Sequence, residues 1–457
     1  MKSINREEQC FTVYLLIYSV FLINSLKFEI GKEVFNMVFG VLKDKVLKKI
    51  DELKDFSVDV LKHMISIPTV VPPGENYKEF VDYAKELLED VGLKVKVVQV
   101  HKSYLEKHIP EMKDYPRYIV VGRLGKERGP ILHFNGHYDV VPPGTGWKTD
   151  PFKPVIVGNK LFGRGASDMK GGLASIVTAV KALTEAGVTI DGTLEVSMTP
   201  DEEIGGLCGV NYMLEEGIVK PNYCVIAEPS GYNRIWIGHK GALWAEIIVY
   251  GKTAHASTPW LGVNAFEKMV KLANKMFTVL KPKIESRTTK YETDIPEGKK
   301  ATIAIGTIVK GGVKINVIPD KMVFQIDRRV LPEENFEEVI REIENIIEEA
   351  KREDPELNAE LKVLFKAKPA AIPPEAKLAT TLKAIVKDVI KEEPRLTLST
   401  GFLDARFFVE KNVETVTYGP GNISQAHVAN EYIEIDKITL VSKAYALLAL
   451  SLLGKIV

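Results

Sequence analysis

The sequence predicts an α/β protein: a mainly parallel sheet with helices on both faces, carrying an inserted ferredoxin-like domain of βαββαβ order. Three observations predict it. Strand-like and helix-like stretches alternate from about residue 77 to 228. Near residue 239 the order changes to strand, helix, strand, strand, helix, strand. After 366 the first style returns. A chain of 457 residues is also long for one core, which points to two domains. The expected division is an N-terminal extension (1–36), the first part of the α/β domain (37–238), the insert (239–366) and the second part (367–457).

Each element follows from local pattern. Apolar residues recur at helical spacing over 41–63 and again in "YKEFVDYAKELLEDVG" from 77, where Gly92 supplies the stop. "LKVKVVQV", "YIVVGRLG" and "PILHFNG" read as strands by alternation and β-branching. "GGLASIVTAVKALTEAG" reads as a helix, "GTLEVSMTP" as a strand, "GGLCGVNYMLEEG" as a helix and "YCVIAEP" as a strand. In the insert, "GALWAEIIVYG", "ATIAIGTIVKG", "KMVFQIDRRV" and "NAELKVLF" are strands. "NAFEKMVKLANKMFTVL" and "NFEEVIREIENIIEEAKRED" are helices. A helix over 375–391, strands "RLTLST" and "ETVTYGPG", and a helix over 435–453 complete the chain.

Composition sets the outer limits. The hydrophobic share is 45% and the charged share 27%, an ordinary globular balance. Lys+Arg and Asp+Glu are both 61, so net charge gives no reason to expect nucleic acid or an anionic membrane as partner. The three cysteines, Cys10, Cys208 and Cys224, have no C-x-x-C spacing and indicate neither a disulfide framework nor a thiolate zinc site. The apolar run "CFTVYLLIYSVFLI" (10–23) is short for a span, which needs about 20 residues. It admits three readings: a start actually at Met37, a signal or anchor, or an extra packed helix. A cytoplasmic location is expected unless that run is an anchor.

Polar residues gather at the ends of the expected strands. His137 and Asp139 follow "ILHFNG", Asp168 lies in "GRGASDMKGG", Asp201, Glu202 and Glu203 follow "LEVSMTP", Glu228 follows "YCVIA", and His427 follows "VTYGPGNISQ". Taken singly, Asp168 reads as a helix cap, 201–203 as first-turn charges, and Glu228 and His427 as loop residues. Taken together they lie where the carboxyl ends of parallel strands converge on one crevice. Two carboxylates 4 Å apart repel by roughly 4 kcal/mol at an effective dielectric of about 20, so such a cluster calls for cations. Two histidines among carboxylates suit zinc, cobalt or manganese rather than calcium.

The motifs "GHYDVVPPG", "GRGASDMKGG", "TPDEEIGG", "AEPSG" and "QAHVANEY", in this order, resemble the two-zinc amidohydrolases. That family includes acetylornithine deacetylase, succinyl-diaminopimelate desuccinylase, aminoacylases, carnosinase-type dipeptidases and a glutamate carboxypeptidase. The resemblance runs from about residue 45 to the C-terminus. It implies two divalent metal ions, Zn2+ first and Co2+ or Mn2+ as substitutes. One would be held by His137, Asp168 and Glu228, the other by Asp168, Glu203 and His427, with Asp168 as the bridge. It also implies a cis peptide between Asp168 and Met169. Asp139 is expected to accept the second ring N–H of His137, and Pro142-Pro143 to stiffen the loop behind it. Glu202 is expected to be the general base, beside the metals but not ligating them.

The insert resembles the family's lid and dimerisation domain. The resemblance implies a homodimer in which His255 reaches the partner's site and helps bind an oxyanion. Asn316 and Arg329 match substrate-contacting positions. Strand alternation lets only one of Arg328 and Arg329 face the substrate, and Arg329 is the expected one. Gly401 and Arg406, in "STGFLDARFF", are candidates for holding an anionic end. The expected substrate is a small N-acyl amino acid, as for acetylornithine deacetylase or succinyl-diaminopimelate desuccinylase, enzymes of arginine and lysine biosynthesis. A metallo-exopeptidase acting on short peptides is the alternative, and a non-catalytic binding protein a more distant one.

Overall fold

A computed structural model describes residues 39–126 and 128–454. The apolar run at 10–23 and the alternative start at Met37 lie outside them. Helices α1 (39–52), α2 (Lys54–Ser66) and α3 (Tyr77–Asp90) come first. Strand β1 (Lys94–Gln99), helix α4 (Lys102–His108) and strands β2 (Tyr118–Gly125) and β3 (Ile131–His137) follow. Then come β4 (Val155–Val157), β5 (Lys160–Phe162), α5 (Gly171–Glu185), β6 (Thr193–Thr199), α6 (Tyr212–Glu215), β7 (Tyr223–Ile226) and β8 (Arg234–His239).

The second sheet is built from β9 (Gly241–Tyr250), α7 (Ala265–Lys275), α8 (Lys281–Glu285), β10 (Thr302–Gly311), β11 (Lys321–Val330), α9 (Phe336–Glu353) and β12 (Asn358–Ala367). The chain ends with β13 (Ala370–Ala371), α10 (Lys377–Ile390), β14 (Arg395–Ser399), α11 (Ala405–Glu410), β15 (Glu414–Thr417), β16 (Tyr432–Glu434) and α12 (Ile435–Leu453).

The large sheet has the order β1-β2-β6-β3-β7-β15-β8-β13, with β14 also on β8. Its centre, β6-β3-β7-β15, is parallel, whereas β1 and β2 add an antiparallel edge. All seven residues of β6 are buried, as expected for a strand covered on both faces. Helices α5 and α12 are rich in buried Ala, Val, Leu and Ile because they pack against each other under this sheet. Pairing aligns the strand ends that matter. His137 at the end of β3 is opposite Thr199 at the end of β6, and Asn135 is opposite Ile226 at the end of β7.

One face of β3 and β6 is polar and buried. His133 Nδ1 meets Glu195 Oε1 at 2.8 Å, and its Nε2 meets Ser197 Oγ at 2.7 Å. This resembles a nucleophilic triad, but Ser197 is fully buried, so the group satisfies itself rather than a substrate.

The second sheet runs β10-β11-β9-β12, entirely antiparallel, which is the order of the ferredoxin-like pattern. Alternation along β9 sends Leu243, Ala245, Ile247 and Val249 into a core with α7 and α9, separate from the core of the large sheet. Two local expectations change. The stretch "GGLCGVNYMLEEG" begins as a π-type turn (Leu207–Asn211), leaving only a short α6. Strand β8, unmarked by pattern reading, belongs to the large sheet.

Candidate metal centre

Aligned strand ends bring five sequence-distant side chains together. Asp168 Oδ1 lies 3.2 Å from His137 Nε2. Asp168 Oδ2 faces the other way, 3.6 Å from His427 Nε2. His427 Nε2 also meets Glu203 Oε2 at 2.8 Å, and His137 Nε2 lies 3.6 Å from Glu228 Oε1. One donor atom from each of His137, Asp168 and Glu203 lies within 4.8 Å of the others. The same holds for His137, Glu202 and Glu228. Glu202 is therefore as near to His137 and Glu228 as a ligand would be, closer in than the sequence reading placed it.

Electrostatics fit a cation site. Burial pushes the Glu228 carboxyl up to about 7, with the nearby His137 opposing the shift. Its Oε1 is buried and accepts no hydrogen bond among the described residues. Burial, and then the Glu228 charge, push Glu202 well above the usual carboxylate range. Burial and the Asp168 charge raise Glu203. Burial disfavours protonated His137, yet the Glu228 charge and its hydrogen-bond partners hold it well above the usual range. Carboxylates clustered this closely and turned toward two imidazoles are the donor set of a divalent transition-metal site. The Asp168–Met169 peptide is cis.

The surroundings of the cluster differ in part from expectation. His137 Nδ1 lies 3.0 Å from the main-chain carbonyl of Asp139 and 3.6 Å from its carboxylate. The carbonyl is thus the closer acceptor. The Asp139 carboxylate instead accepts the N–H groups of Glu202 and Glu203, at 3.3 and 3.1 Å. It fixes the turn that carries both acids. Asp201, in the same turn, is buried against Arg117 Nε at 2.7 Å and Tyr77 Oη at 3.0 Å.

Glu431, which sequence reading did not single out, braces the loop that carries Asp168. Its Oε1 accepts the N–H of Ser167 at 2.8 Å and of Asp168 at 3.0 Å. Its Oε2 takes the N–H of Gly165 at 2.9 Å and Arg164 Nη1 at 2.7 Å. Burial pushes it up to about 7, with the Asp168 and Gly165 N–H groups pulling the other way. It lies inside "QAHVANEY", so the only available signal was its place in that motif.

The substrate-side candidates separate. The backbone pairing of His255 with Val317 places His255 beside Asn316, on an exposed tip of the second sheet. The His255 ring bonds Ser257 Oγ at 2.7 Å. Arg328 is fully buried and paired with Glu334. Arg329 projects from the opposite, open face, where Asp327 meets its Nε at 2.8 Å. Gly401 N–H donates to Ser399 Oγ at 3.2 Å. Arg406 does not fit the role of anion holder. It is 6% exposed, and its guanidinium donates to Leu403 O at 2.7 Å and Gly205 O at 2.6 Å. Packing of the 401–406 segment against the acid turn commits it to main chain.

The chain is 30% identical over 400 residues to a succinyl-diaminopimelate desuccinylase of a Nitratiruptor species, covering 84% of this chain and 98% of that one. It is 27% identical over 402 residues to a probable succinyl-diaminopimelate desuccinylase of Staphylococcus aureus, covering 83% and 93%. Among solved structures, human carnosine dipeptidase 1 matches with a TM-score of 0.70 at 19% identity, covering 90% of this chain and 98% of that one. The M20 family metallo-carboxypeptidase Sso-CP2 from Sulfolobus solfataricus matches with a TM-score of 0.70 at 20% identity, covering 86% and 98%. Residues 133–451, which span every member of the cluster, match the profile of Peptidase family M20/M25/M40, and the chain belongs to that family.

Proposed function

We propose that the protein is a metal-dependent amidohydrolase that cleaves the amide bond of N-acyl amino acids, with succinyl-diaminopimelate as the leading substrate. One observation carries this reading: the two oxygens of Asp168 face two different histidines, as a bridge between two cations would. His137, Asp168 and Glu228 would hold one ion, and Asp168, Glu203 and His427 the other. Zn2+ suits this donor set, with Co2+ or Mn2+ as substitutes. When bound, such a pair supplies Lewis acidity, lowering the pKa of water toward about 7 and polarising the scissile carbonyl.

The chain's own residues do the rest. Glu202 takes a proton from the attacking water and returns it to the leaving amine nitrogen. Asp139 and Glu431 hold the main chain that presents the acids. Arg329, on the open face of the second sheet, pairs with a substrate carboxylate. Asn316 and His255 approach the carbonyl oxygen from a second copy of the chain. An apolar stripe supports that dimer: Phe266, Val270 and Phe277 are exposed along α7 and the turn that continues it. The edge strand β10 also exposes Ile308 and Val309.

The test is a substrate panel with added Zn2+ or Co2+: succinyl-diaminopimelate, acetylornithine, acetyl-lysine, other acyl amino acids and dipeptides. Hydrolysis of the acyl amino acids, succinyl first, is expected. A preference for dipeptides would move the assignment to an exopeptidase of the same family, a fold to which the carnosine dipeptidase neighbour belongs.

A further inference from the structure

The turn carrying Glu202 and Glu203 is clamped from behind by residues that the proposed reaction leaves without a role. It runs from Asp201 to Gly206 and closes on itself. Gly205 N–H donates to Glu202 O at 2.8 Å, and Gly206 N–H to Asp201 O at 2.7 Å. Both glycines take left-handed φ, +106° and +66°. Arg406 reaches this closure from 201 positions away in sequence, donating from Nη2 to Gly205 O at 2.6 Å. Its guanidinium stacks 4.1 Å from the centre of the Phe407 ring, which limits where it can point.

Asp404 meets the next residue of the turn. A Cβ on Gly206 would stand 1.9 Å from Asp404 Oδ1. Asp404 is 1% exposed, and neither of its oxygens accepts a hydrogen bond among the described residues. Arg406 Nη1 is 3.8 Å from Oδ1. Such a carboxylate is costly to bury and needs that nearby cation. The second sheet closes the same junction. Phe365 lies 3.0 Å from where a Gly205 Cβ would be, and its ring packs 5.2 Å from Phe402 of the Asp404 segment.

We propose that Arg406 and Asp404 are positioning residues for the general base. Arg406 ties down the carbonyl of Gly205, and Asp404 fills the space that only a glycine at 206 leaves. Together they fix the closure of the turn from which the Glu202 carboxylate projects. The role given to Glu202 rests on the hydrolytic reading above, but the clamp itself can be read without turnover.

The experiment uses the full chain loaded with Zn2+ and the best substrate of the panel. Arg406→Ala is expected to lower kcat by about 10- to 100-fold while KM and bound Zn2+ stay within about twofold of wild type. Arg406→Lys, which keeps the charge but not the planar fork, should fall between the two, and added guanidinium should restore part of the Arg406→Ala loss. Gly206→Ala and Asp404→Gly should be non-additive in kcat because they alter one contact. Unchanged kcat in Arg406→Ala, loss of Zn2+ in step with loss of kcat, or additive behaviour of the pair would each overturn the proposal. Hydrogen exchange provides the separate readout. The Gly205 and Gly206 amides should exchange faster in Arg406→Ala, and unchanged exchange overturns the clamp. A wild-type protein inactive on the whole panel would instead count against the hydrolytic reading.

Discussion

Glu431 Oε1 accepts the main-chain N–H of Asp168 at 3.0 Å, across 263 positions of sequence. Asp168 is the residue with an oxygen toward each histidine, so Glu431 governs the placement of both candidate ion sites through one loop. Glu431→Gln keeps the shape but puts an amide NH2 where N–H groups and Arg164 now point. Outer-shell partners of this kind are worth about 10- to 100-fold in metal affinity. Zn2+ titration against a chromophoric chelator should therefore show weaker binding of that order. Wild-type affinity in the variant would remove Glu431 from the account.

Glu202 separates binding from turnover. Glu202→Gln should retain two equivalents of Zn2+ by elemental analysis, since His137, Asp168, Glu203, Glu228 and His427 all remain. Loss of general acid–base help should lower kcat by about 10²- to 10⁴-fold. Its nearness to His137 and Glu228 makes this a sharp test. If the variant loses one equivalent of metal, Glu202 is a ligand and another group must carry the proton.

What was legible in the sequence follows from how the contacts are made. His137, Asp168, Glu203, Glu228 and His427 could be collected because parallel strands deliver their carboxyl ends to one edge, and each residue stands just past a readable strand or motif. Alternation shows that Arg328 and Arg329 face opposite ways, but not which faces the substrate; the preference for Arg329 comes from the family resemblance. Three other features left no local trace. The Asp139 carbonyl that faces His137 is a main-chain atom, which no residue type announces. The employment of Arg406 depends on how the segment at 401–406 packs against the acid turn, and an arginine in a polar loop reads the same whether it holds substrate or backbone. The reach of Glu431 to Asp168 depends on a loop closing over a long separation. Strand β8 escaped because its short run passes through Gly238, His239 and Lys240 into β9 without a turn signal.

The second sheet holds a pH-sensitive contact of its own. Asp354, at the end of α9, meets Lys268 Nζ at 2.8 Å and Lys271 Nζ at 2.8 Å. The Lys268 bond, followed by the Lys271 bond, lowers its carboxyl from 3.8 to about 2. A folded-state value below the unfolded one gives stability that is complete above pH 3.8 and lost as pH falls through about 2. Allowing for solvent screening, Lys271 being exposed although Lys268 is buried, the contribution is of order 1 kcal/mol. Asp354→Asn should lower the urea midpoint at pH 7, and the gap to wild type should narrow below about pH 4. A gap independent of pH would show that the contact acts through packing rather than charge.

Arg328 and Arg329 are neighbours on one strand with opposite expected consequences. Arg328 is fully buried beside Glu334, so Arg328→Ala empties a buried guanidinium site, while Glu334 keeps Arg287 Nη1 at 2.9 Å and the Leu331 N–H at 2.8 Å. Losing the charge-assisted hydrogen bonds of Arg328 costs about 1.5–3 kcal/mol, which should appear as a clear fall in Tm. Arg329 stands on the open face, held by Asp327. Removing it strands no buried charge, and Tm should barely move. If it pairs with a substrate carboxylate, it loses charge-assisted hydrogen bonds worth about 1.5–3 kcal/mol, or roughly 10- to 150-fold in kcat/KM. The loss should vanish for a substrate analogue whose carboxylate is replaced by an amide, because the partner is then gone. Equal losses on acid and amide would assign Arg329 to the fold of the second sheet and leave the substrate's charge to be met elsewhere.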